Sequence, residues 1–65
     1  MMHDNHNYNL LEQLVTEQKS LWRMKNAYPK DAENCEKCKA LWEEMSKDKE
    51  KHIEQLTELV KMHWQ

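Results

Sequence analysis

Glycine is absent from this 65-residue chain, and proline occurs once. Strand-and-turn architectures make their corners at positive φ, where glycine meets no steric penalty. A chain without glycine is poorly equipped for them. No apolar run approaches the roughly 18 residues of a membrane span, and no signal-peptide pattern opens the sequence. Basic charge is not in excess: ten Lys and Arg stand against twelve Asp and Glu, for a net charge of -2. That balance leaves neither an electrostatic footprint for nucleic acid nor a polybasic membrane anchor. Two cysteines at C-x-x-C spacing do not make a secreted disulfide framework. The expectation is a cytoplasmic protein with no nucleic-acid or membrane partner.

What is abundant is Glu, Lys, Leu, Met and Gln, whose straight side chains lose little rotamer freedom in a helix. The fold class read from this is all-α. Residues 1–9 are polar, rich in Asn and His, and without an apolar period, which predicts a flexible N-terminal arm. Asn9 suits an N-cap, with Glu12 as its capping-box partner. From there Leu10, Leu11, Leu14, Val15, Gln18, Leu21, Trp22, Lys25 and Tyr28 recur at three- and four-residue steps, one face of a helix over about 10–27. Pro29 disfavours the α region at the residue before it and so stops that helix, leaving a turn at 28–31. Asp31 can cap a second helix over about 32–64, with Glu33 complementing the dipole in its first turn. That helix carries Cys35, Cys38, Leu41, Trp42, Met45, Lys49, His52, Ile53, Leu56, Leu59, Val60 and His63.

So short a connection predicts an antiparallel two-helix hairpin over 10–65. The pattern fits a register in which Tyr28 meets Cys35, Trp22 and Leu21 meet Trp42 and Leu41, and Leu11 lies beside His52. Leu59, Val60 and Trp64 then project past the first helix. A core this small rarely supplies more than roughly 3–5 kcal/mol, and the apolar overhang asks for a partner chain. A homodimer closing a four-helix bundle is the expected assembly.

Polar residues interrupt the stripe at Gln18, Lys25, Lys49 and His52, with Glu17 and Asp48 at its edges. Carboxylates and a histidine on facing helices are how bundles build metal sites. Here the segment from Glu17 through KDAENCEKCKALWEEMSKDKEKHIEQL resembles one helical hairpin of the ferritin-like, rubrerythrin-type family. That hairpin carries a Glu in its first helix and a Glu-x-x-His in its second. Glu17 falls near the first position and His52 fits the last, so the resemblance implies an iron site assembled across a dimer, in which Asp48, four residues before His52, could serve in place of the family's second-helix Glu. Lys49 departs from the pattern: it stands where the family places a ligand Glu, and a protonated lysine cannot ligate iron. The alternative reading of the same residues is a polar core patch, with Lys49 neutralised by Glu17 or Asp48.

Cys35 and Cys38 admit a redox reading, which needs the first thiol at a helix N-terminus. They also admit a zinc reading, as half a tetrahedral site that two hairpin tips would complete. Asp31, Glu33 and Glu36 surround Cys35 with negative charge, and two semi-buried thiols near the turn are the plain alternative. His3 and His6 form an H-x-x-H in the arm, and His63 suits the C-terminal end of its helix. Trp22 and Trp42 are expected as large core fillers, Trp64 as a contact residue, and Met as soft core filling. No Ser-His-Asp arrangement or phosphate loop is present, and a two-layer hairpin has little concavity for substrate. The sequence thus predicts a structural or interaction module, not an enzyme, with no cofactor. Its alternatives are the iron-binding hairpin and the C-x-x-C zinc or redox module.

Overall fold

The computed structural model describes residues 5–64. The chain is all-α: α1 spans Asn5–Asn26, α2 is a single short segment at Tyr28–Ala32, and α3 runs Glu36–His63. No strand is present among the described residues. The long helices lie side by side as a helical hairpin, a rod of 50 × 16 × 13 Å. Tyr28 packs against Trp42 near the connection, with ring centroids 4.6 Å apart and the rings tilted by 48°. His6 meets His63 edge-on at the other end, at 4.9 Å.

Heptad spacing explains which faces meet. Leu10, Leu14, Glu17, Leu21 and Met24 of α1, and Tyr28 at the start of α2, are buried or half-buried, at steps of four and three. On α3 the same holds for Trp42, Ser46, Lys49, Ile53, Leu56 and Val60. Such spacing keeps one narrow seam turned toward a partner helix. The seam is tightest where Met24 and Ser46 are each only 5% exposed. Ser46 is small, and its hydroxyl donates to the Glu43 carbonyl at 2.8 Å, so a polar side chain is tolerated there.

Several expectations are corrected. Helix α1 spans Asn5–Asn26, so residues 5–9 of the expected arm are helical, while residues 1–4, including His3, lie outside the described residues. Asn9 is therefore interior to α1 and caps nothing. Asparagine is a modest helix former, but tertiary packing overrides propensity, and α3 supplies a surface on which this end can lie. The register is displaced by one heptad: Tyr28 meets Trp42, not Cys35. Because α1 reaches back to Asn5, where His6 covers His63, the expected overhang of Leu59, Val60 and Trp64 disappears.

The connection is longer than expected because Pro29 starts a helical turn as well as ending one. It occupies the first turn of α2, where a missing N–H is no loss. Asp31 lies inside α2 and does not cap α3. Glu33 ends α2 at φ 50°, a left-handed conformation that glycine would take without strain. Cys35, not Asp31, is the N-cap of α3.

A second correction concerns rotation. Trp22, expected in the core, is 62% exposed, and Leu11, Val15, Leu41, Met45 and Leu59 are exposed as well. These residues form two outer strips. On α1, Tyr8, Leu11, Val15 and Trp22 each follow a seam position by one residue. On α3, Leu41, Met45, His52 and Leu59 each precede one. In the helical hairpin these strips turn to opposite sides of the rod. The Lys25–Glu50 ion pair, one residue after the seam on both helices, marks the first side. A groove lined by Gln13, His52 and Leu59, one residue before it, marks the second.

Candidate functional site

Two constellations hold the residues that the sequence singles out. The first lies midway along the seam. Glu17 sits on α1 at a seam position and Lys49 on α3 at another, and their side chains meet at 2.8 Å, only 15% and 21% exposed. Gln13, one turn before Glu17, donates a second hydrogen bond to its carboxylate at 2.7 Å. The Lys49 ammonium, helped by Gln13 and by the nearby His52, holds the Glu17 carboxyl below the usual glutamate value against the opposing effect of burial. Lys49 is thus neutralised within one chain.

This arrangement divides the expected ligands. Glu17 is engaged by the lysine that stands at the family's ligand position. His52 is exposed and lines the groove beside Glu17 with Gln13, Gln55, Leu56 and Leu59. Asp48, one residue before Lys49, is turned outward and exposed. Among the described residues, no three His, Cys, Asp or Glu side chains gather within one chain as a metal-holding group. His6, the described half of the H-x-x-H, packs its ring against His63.

The second constellation is at the start of α3. Cys35 has extended backbone angles, φ -85° and ψ 96°, as an N-cap requires. Its sulfur accepts the Cys38 backbone N–H at 3.3 Å, and the two thiols are hydrogen-bonded to each other at 2.8 Å. Both thiols are exposed and unbridged, where the plain alternative had them semi-buried. The Cys38 thiol and then the backbone N–H groups at the helix start hold the Cys35 thiol below its ordinary range, against the Glu36 carboxylate. The same sulfur–sulfur hydrogen bond pushes Cys38 up. The negative charge around Cys35 is therefore outweighed by donors that residue spacing alone does not reveal.

Among the described residues no helix is long and apolar enough to cross a membrane. No protein-family model, no curated protein and no solved structure matches the chain.

Proposed function

We propose that this chain is an antiparallel helical hairpin whose role is to pair, with a second copy of itself, into a four-helix bundle. The observation that carries the reading is the thin interior. Met24 is the one buried hydrophobic side chain among the described residues, while Leu41, Met45, Leu59 and Met62 lie open on one side of α3.

That side is the better interface of the two. Beside the apolar strip of α3, α1 presents neutral or small residues there, Gln13, Thr16, Ser20 and Ala27, and the two formal charges, Arg23 and Asp48, are of opposite sign. The other side sets Leu11, Val15 and Trp22 next to Lys25, Glu43, Lys47 and Glu50, which would have to be desolvated. Interface centres are depleted of charge for this reason. Sedimentation at micromolar concentration is expected to give a dimer. Met45→Glu with Leu59→Glu is expected to give folded monomers, whereas Val15→Glu leaves the dimer intact. A monomer mass for the unaltered chain overturns the reading.

A metal-binding alternative in the ferritin-like sense draws on the same side. Asp48 and His52 stand one turn apart on α3 and Glu17 lines the groove beside His52, so two-fold pairing would bring two such sets together. Iron counted per chain, and lost in His52→Ala, supports it; a metal-free folded dimer removes it.

A further inference from the structure

The cysteine pair is not needed for pairing, and it lies away from the seam. The sulfurs of Cys35 and Cys38 are 2.8 Å apart on the first turn of a 28-residue helix, and both side chains are exposed. A disulfide between residues three apart, one at the cap and one in the first turn, requires only that the two sulfurs close to bonding distance, about 2.05 Å. Of the two sulfurs, Cys35 is the one at the N-cap, where it accepts the Cys38 backbone N–H. The two thiols therefore differ in role before any reaction begins.

We propose that Cys35 and Cys38 form a thiol–disulfide exchange site, with Cys35 the attacking sulfur, Cys38 the resolving one, and a low-molecular-weight disulfide the oxidant. The Cys35 thiolate attacks one sulfur of R–S–S–R, forming a Cys35–S–S–R bond and releasing R–S⁻. The Cys38 sulfur, losing its proton, then attacks the Cys35 sulfur, and the second R–S⁻ leaves as the Cys35–Cys38 disulfide forms. Two electrons pass from the dithiol to R–S–S–R, and the two thiol protons end on two R–SH. A small disulfide suits the site because both thiols are open to solvent and no protein wall orients a larger partner. The lowered Cys35 thiol and the raised Cys38 thiol favour Cys35 as the sulfur that ionises first.

The test uses the full reduced chain with oxidised glutathione as the probe, followed by mass spectrometry. The unaltered chain is expected to lose two hydrogens and retain no glutathionyl group. Cys38→Ser is expected to accumulate one glutathionyl adduct on Cys35, and Cys35→Ser to react about tenfold more slowly at neutral pH. Serine is itself a good N-cap, so the Cys35 variant keeps its helix start, and circular dichroism checks that it does. Four results overturn the proposal. One is equal rates for the two single variants. Another is a wild-type chain that stops at mixed disulfides. A third is a Cys-bridged dimer as the oxidised product. The last is tightly held zinc that protects both thiols. The exchange occurs within one chain, so failure of the dimer reading leaves these outcomes unchanged.

Discussion

The seam and the outer strips are built from the same residue types at the same spacing on the same two helices, yet one is inside and the other is wet. Leu14, Leu21, Ile53 and Leu56 are in the seam, while Leu11, Val15, Leu41 and Leu59 sit one residue away on its flanks. The polar interruptions separate them. In the seam, Glu17 and Lys49 neutralise each other, and Ser46 satisfies itself on the Glu43 carbonyl. A seam rotated by one residue on each helix would enclose Gln18, Lys25, Asp48 and His52 instead. Lys25 would then give up Glu50, its partner on the rod's side. Burying a charge is tolerable where its partner is buried with it, and that difference selects between two nearly equal apolar strips.

The strongest way to break this contrast is to truncate one tryptophan on each surface. Trp42→Ala is expected to cost about 3 kcal/mol, since it removes the ring that Tyr28 packs against. Trp22→Ala, on an exposed ring, is expected to stay within about 0.5 kcal/mol. Urea denaturation of both variants measures the gap; equal losses would mean that the strips are exchanged in solution.

The polar pair comes next. Lys49→Met strands the Glu17 carboxylate and is expected to cost about 1–2 kcal/mol, between the surface and fully buried limits for an ion pair. Replacing both residues, Glu17→Leu with Lys49→Leu, is expected to recover that loss or exceed it, while the oligomer becomes heterogeneous in sedimentation. A double variant that stays homogeneous would deny the pair its role in specificity.

Acid probes the same pair without mutation. Glu17 is held below the ordinary glutamate value in the folded chain, so its contribution is fully present above the unfolded pKa, about 4.3. It is lost as pH falls through the lowered folded value. Melting curves in that acid window are expected to drop more steeply for the unaltered chain than for Glu17→Gln.

Smaller effects lie outside the seam. Glu33→Gly relieves the left-handed residue at the end of α2 and is expected to stabilise by about 0.5–1 kcal/mol, read as a rise in melting temperature. Lys25→Ala breaks a half-exposed ion pair with Glu50 and is expected to change stability by no more than about 0.5 kcal/mol.

The chain's helicity and the place of its bend were legible from composition and from Pro29. The site was legible only as a set of residues. Gln18 and Lys25 read as stripe interruptions because strips one residue apart overlap within the arc that a 3.6-residue period resolves. The one-heptad displacement was hidden for a related reason: sliding a heptad leaves every seam position a seam position. Cys35 looked like a stripe residue because nothing local marked Glu33 as the left-handed stop that makes Cys35 a cap.

By itself, then, the amino-acid sequence determined an all-α chain that bends near Pro29, with apolar strips along both long helices and a lysine where a ligand carboxylate would stand. Those properties follow from local propensity and from spacing along one helix. Which strip faces inward, how far the helices slide, and that Lys49 meets Glu17 while Cys38 meets Cys35 were decided only in the tertiary structure. The first three depend on the relative rotation and translation of two helices, and the last on where the connection through α2 lets α3 begin.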